Sequence, residues 1–102
     1  MPYRNKELRD SARGEECTIN IPGVCNRDPE TTVLAHYGEP GEKGTGIKPD
    51  DTSGAFACSA CHDVLDGRSK NPFVEGTCEK NWYWFRGMRR TWKRWAEMGI
   101  QL

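Results

Sequence analysis

Four cysteines in two groups, Cys17 with Cys25 and Cys58 with Cys61, constrain this 102-residue chain more than any other feature. A domain this short buries a smaller share of its surface than a large one does, and commonly needs a staple. Cys58-Ser59-Ala60-Cys61 has the two-residue spacing that lets one turn present two sulfurs to a tetrahedral zinc ion. Seven residues separate Cys17 from Cys25, a longer gap, which the Pro22-Gly23 turn can fold back so that the sulfurs meet. The cysteine total is five, an odd number, and the opening stretch mixes charges of both signs without an apolar run. It therefore reads neither as an export signal nor as a membrane span, and the expected setting is the reducing cytoplasm. Clustered cysteines there point to metal rather than to disulfides. Cys78 has no neighbour of its own kind and reads as a buried free thiol.

Other chemistries compete for the same residues. The four cysteines can be small buried hydrophobes, or one pair can be a thiol redox couple. Cys58-Ser59-Ala60-Cys61-His62 also matches the C-x-x-C-H pattern for c-type haem, with His62 as proximal ligand and Met88 or Met98 as distal candidate. Such a haem needs export and leaves Cys17 and Cys25 unexplained, so no haem is expected.

The mean hydropathy is −0.84, and eleven glycines and six prolines mark a loop-rich α+β chain, expected to form a single domain over residues 1–102. The first sixteen residues read as a short helix or an arm. Cys17, Ile19 and Ile21 alternate with polar residues and predict a strand running into a metal-binding knuckle. The β-branched, apolar run Thr31–Ala35 predicts a strand that ends near His36. Residues 38–54 are loop by composition, and Ala55-Phe56-Ala57 then leads Cys58 and Cys61 into a short helix stopped by Gly67. From Lys80 to Met98 an amphipathic helix is expected, with Trp82, Phe85, Met88, Trp92 and Trp95 as its core stripe.

The formal net charge is zero, so the chain as a whole is no polycation, but residues 79–102 carry +4 and the remainder −4. Arg86, Arg90 and Lys93, expected on the outer face of the last helix, are either a solvated surface or contacts to nucleic-acid phosphates. The glycines of residues 38–54 fit no phosphate-loop or dinucleotide fingerprint.

A histidine at a strand end can take a proton from water at neutral pH, the step that makes a nucleophile for phosphodiester hydrolysis. His36 is that candidate. His62 and Asp66 are spaced i to i+4 on one helical face and could hold a hard divalent ion such as Mg²⁺ or Mn²⁺, with Asp63 beside them.

Cys17 with Cys25, Leu34-Ala35-His36 and Cys58-Ser59-Ala60-Cys61-His62-Asp63 together resemble a family of short prophage-encoded nucleases related to the HNH, or ββα-metal, endonucleases. The likeness spans roughly Ser11 to Asp66. It implies a two-strand-and-helix finger, structural zinc on the four cysteines, His36 in the place of the general base, and His62 in the place of the helix histidine that ligates a catalytic metal. Two positions depart from the pattern. Ala35 stands where an acidic residue or histidine usually precedes the base, and Asp51 or Ser53 stands near the expected asparagine. The expected function is metal-dependent endonucleolytic cleavage of nucleic acid, DNA in a phage-associated setting, without membrane attachment. The departures keep a second expectation open, a non-catalytic zinc module that binds DNA or a partner protein.

Overall fold

The computed structural model describes residues 3–37 and 50–101, so the glycine-rich segment expected as loop lies mostly outside the described residues. Helix α1, Lys6–Asp10, starts where the Asn5 side chain accepts a hydrogen bond from the Glu7 backbone N–H. A single 3-10 turn, Pro29–Thr31, opens with Pro at its first position and with Asp28 as its cap. It leads into strand β1, Val33–His36, which pairs antiparallel with β2, Gly54–Ala57, so that Leu34 faces Phe56 and His36 faces Gly54. Helix α2, Ser59–Leu65, follows directly, with the Cys58 sulfur accepting from the Cys61 backbone N–H as its cap. It ends at Gly67, whose φ of +81° lies in the left-handed region that favours glycine. Helix α3, Thr77–Met98, closes the fold and ends at Gly99 in the left-handed conformation.

Alternation along β2 divides the core. Ala55 and Ala57 look toward the cysteines, Ile19, Ile21, Val64, Trp84 and Met88. Phe56, with Leu34 from β1, looks the other way onto Leu8, Ala12 and Trp95, and the Phe56 and Trp95 rings meet edge to face at 6.1 Å. The N-terminal helix thus belongs to the core through Leu8, which is fully buried.

The expected strand at residues 17–21 does not form. Burial alternates there as strand periodicity requires, with Cys17, Ile19 and Ile21 inside, but Asn20 adopts φ +51° and breaks the extension. What remains is one clasp on the free edge of β2. Thr18 donates its backbone N–H to the Phe56 carbonyl at 2.8 Å, and Thr91 of α3 accepts the Phe56 N–H at 3.0 Å. The two threonine hydroxyls then bond each other at 3.0 Å. A two-stranded sheet is stable here because its outer edge is satisfied by side chains and one loop amide instead of a third strand.

The core stripe of α3 also differs from the expected one. Trp84, Met88, Thr91 and Trp95 are buried, whereas Trp82, Phe85 and Trp92 are 58%, 48% and 45% exposed. Both stripes keep helical spacing. Gly87 decides between them: a Cβ there would stand 2.8 Å from Ile19 Cγ1 and 3.1 Å from Ala55 Cβ, so its bare backbone is what lets this face approach β2. No helix among the described residues is long and apolar enough to cross a membrane.

Candidate functional site

The knuckle at residues 17–25 is built by its turn. Val24 and Cys25 both donate their backbone N–H to the Ile21 carbonyl, and Gly23 takes φ +76°, which brings Cys25 back toward Cys17. Cys58 caps α2 and Cys61 sits in its first turn, so the second pair is set by helix geometry. All four sulfurs lie within 4.8 Å of one another, and those of Cys25 and Cys58 are 3.8 Å apart. Tetrahedral zinc–sulfur bonds of about 2.3 Å put neighbouring sulfurs roughly 3.8 Å from each other, so the donor set and its spacing fit that ion. All five cysteines are free thiols, and Cys78, expected to be buried, is exposed.

Within this cluster electrostatics favour the thiolate at Cys17. A hydrogen bond from the Cys61 thiol holds Cys17 down to about 5 against its own burial, and the Asn20 backbone N–H, 3.5 Å from the sulfur, adds to the effect. The same bond, with burial, pushes Cys61 up, and burial raises Cys25. The Asn20 side-chain amide also donates to the Cys25 sulfur at 3.7 Å, so one residue supports two sulfurs. No sequence pattern singled Asn20 out. Its left-handed backbone, which an amide side chain tolerates, is visible only in the folded structure.

His36 lies at the end of β1 with about a fifth of its side chain exposed, and its partner is Asp51. His36 Nε2 stands 2.7 Å from Asp51 Oδ1. A carboxylate at that distance favours the tautomer with its proton on Nε2 and leaves the Nδ1 lone pair to accept a proton. Asp51 has no exposed side-chain surface. It is gripped from the N-terminal segment: the Asn5 backbone N–H donates to Oδ2 at 2.6 Å, Arg9 Nε stands 3.3 Å from the same oxygen, and Arg4 reaches Oδ1 at 3.4 Å. Burial alone would push the carboxyl up, but the Asn5 N–H, the His36 ring and the Arg4 charge outweigh it and hold Asp51 below its usual 3.8. Asp51 therefore stays ionised at neutral pH, a fixed counter-charge for a histidine that gains a proton.

The other expected site residues fall elsewhere. His62 Nε2 and Asp66 Oδ2 are 3.0 Å apart on α2, as their i to i+4 spacing requires, and Arg68 contacts both Asp66 and Asp63. Among the described residues, the four cysteines are the group of three or more potential metal ligands that converge, and no hydrogen bond or ion pair joins His36 to His62 or Asp66. Two of the three basic residues expected to meet phosphate are engaged within the fold. Arg86 donates to the carbonyls of Ile19 and Asn20 and lies 4.7 Å from the centre of the Trp82 ring, while Arg90 donates to the Thr18 carbonyl and the Asn20 side chain. Lys93 is exposed.

With this geometry in place, comparison with known proteins gives consistent results. The family described as "Putative nuclease YbcO" matches residues 6–100. A relative bearing that name from Escherichia coli (strain K12) is 48% identical over 94 residues, covering 92% of this chain and 95% of its own length. A relative of the same name from Enterobacteria phage 82 matches with the same identity and coverage. A solved structure described as "a putative bacteriophage protein" from Escherichia coli K-12 substrain MG1655 superimposes with a TM-score of 0.70 at 43% identity, over 89% of this chain and 98% of that one.

Proposed function

From the premise that the chain belongs to the family described as "Putative nuclease YbcO", we propose that it is a zinc-stabilised endonuclease in which His36, aligned by buried Asp51, is the general base. The observation that carries the reading is the 2.7 Å contact between His36 and an acidic residue shielded from solvent. A nuclease must convert water into a nucleophile beside a phosphodiester, and a histidine whose far nitrogen is pinned by a carboxylate is arranged to do so. Asp51 then fills the orienting place for which the HNH pattern normally uses an asparagine, and the hairpin followed by a helix supports the ββα-metal relationship.

Each remaining part has a limited role. Zinc on Cys17, Cys25, Cys58 and Cys61 ties the loop before β1 to the start of α2, and takes no part in bond breaking. His62 and Asp66 offer two donors of the kind that hold Mg²⁺ or Mn²⁺ together with water and substrate phosphate, although Arg68 competes for Asp66. Such an ion would neutralise charge on the leaving oxygen. His36 holds and moves the proton of the attacking water, and Asp51 keeps its ring in one tautomer and stabilises its cationic form. Arg4 and Arg9, which bind Asp51 while keeping 37% and 41% of their side chains exposed, present positive charge beside the same histidine. The expected substrate is DNA in a phage-associated, cytoplasmic setting.

Ala35 and the lack of a third ligand beside His62 and Asp66 among the described residues favour a second reading, a zinc module that binds nucleic acid without cutting it. Supercoiled plasmid incubated with zinc-loaded protein and Mg²⁺ or Mn²⁺ separates the two. The hydrolase converts it to nicked or linear product; the binding module retards it in a gel and leaves it supercoiled.

A further inference from the structure

The exposed rings of α3 are left without a task by the catalytic reading. Phe85 and Trp92 sit on one stripe of the helix with exposed Arg89 between them, and both rings keep nearly half their surface in solvent. Each is tied to one half of the His36–Asp51 pair. Phe85 meets the Tyr37 ring edge to face at 5.5 Å, and Tyr37 follows His36 directly, donating its backbone N–H to the Ser53 carbonyl at 2.7 Å. Trp92 donates its indole N–H at 3.0 Å to the carbonyl of Thr52, the residue after Asp51. The stripe is therefore continuous with the candidate catalytic pair.

We infer that Phe85, Arg89 and Trp92 form a stacking platform for unpaired bases, so that the strand presented to His36 is single-stranded or locally unpaired nucleic acid. This rests on the nuclease reading for the identity of the site beside it. Three properties select such a strand over an apolar protein partner. The surface carries two exposed aromatic side chains, of the kind on which the π-face of any base can stack. A cation stands between the rings, and α3 carries no acidic residue from Asn81 to Ala96, so the face suits a polyanion. Trp92 lies seven positions after Phe85, which at about 1.5 Å per residue spans roughly 10 Å, close to three base steps of about 3.4 Å. A paired duplex keeps its base faces stacked internally and cannot use these rings; only splayed bases can.

The test is fluorescence anisotropy with zinc-loaded protein and no added Mg²⁺ or Mn²⁺, using a labelled 12-nucleotide single strand and a duplex of the same sequence. The wild type is expected to bind the single strand more tightly. Phe85→Leu keeps apolar bulk against Tyr37 but removes the ring, and should weaken single-strand binding on the order of ten-fold while leaving duplex binding unchanged. Trp92→Phe, which keeps a ring, should stay much closer to wild type. Single-strand affinity unchanged in both Phe85→Leu and Phe85→Ala, with unaltered melting temperatures, overturns the inference, as does equal affinity for duplex. The plasmid assay fails independently: ring-dependent strand binding without any cutting sustains the platform and removes the hydrolase, whereas cutting with ring-independent binding does the reverse.

Discussion

Asp51 is the residue on which the candidate site turns, and its chemistry is set by groups far away in sequence. Arg4, Asn5 and Arg9 converge on it from the N-terminal segment, while His36 reaches it across the end of the hairpin. His36 and the four cysteines were legible because the residue type and a few neighbours carry the signal: a histidine ending an apolar run, and a two-residue cysteine spacing. Asp51 was visible merely as an acid near an expected asparagine, because nothing local announces that residues 4–9 will enclose it. Its lowered pKa has a consequence for stability. The folded value lies below the unfolded 3.8, so the contribution is complete above that value and is lost as pH falls through the folded one. Asp51→Asn should cost about 1–3 kcal/mol at pH 7, from broken charge-assisted hydrogen bonds. The gap to wild type should narrow below about pH 4. Denaturant unfolding of both proteins across that range checks this; a gap independent of pH would mean that the carboxylate charge is not what stabilises the site.

At the scale of elements, the long C-terminal helix and the short helix at Cys58 were readable from periodicity, yet periodicity chose the wrong stripe for α3. Four tryptophans give more than one aromatic line at helical spacing, and the buried line passes through Thr91, a polar residue that a hydrophobic pattern discards. Thr91 is inside because it completes the hydrogen bonding of the β2 edge with Thr18. The same edge explains why residues 17–21 alternate like a strand without becoming one. Thr91→Val keeps the shape but leaves the Phe56 N–H without an acceptor, and should lower stability by roughly 1–3 kcal/mol. Thermal unfolding of the two proteins measures it, and an unchanged melting temperature would show that the clasp is not needed. Arg86 and Arg90 hold the turn that carries Asn20, so their charge serves the knuckle as well as the surface.

For the molecule as a whole, the cysteine cluster joins the knuckle at residues 17–25 to the start of α2. Metal binding to such a set is coupled to folding, because the ligands converge only in the folded chain. Chelation with a strong zinc ligand should therefore abolish the cooperative thermal transition, and returning one equivalent of zinc should restore it. A sharp transition that survives complete removal of metal, verified by elemental analysis, would show that apolar packing alone suffices. The overall α+β class and the convergence of the four cysteines were legible because a short chain has few ways to stabilise itself. The docking of α1 was not, because it depends on contacts between distant residues such as Leu8 with Phe56 and Ser11 with Trp95.

The claim that His36 performs the chemistry is tested most directly by the rate of plasmid cleavage in Mg²⁺ or Mn²⁺ for wild type and His36→Ala, compared at equal zinc content and equal melting temperature. The account predicts cleavage by the wild type and a loss of about 10²- to 10⁴-fold in the variant, the usual contribution of a positioned general base. Cleavage that persists undiminished without the imidazole would contradict it.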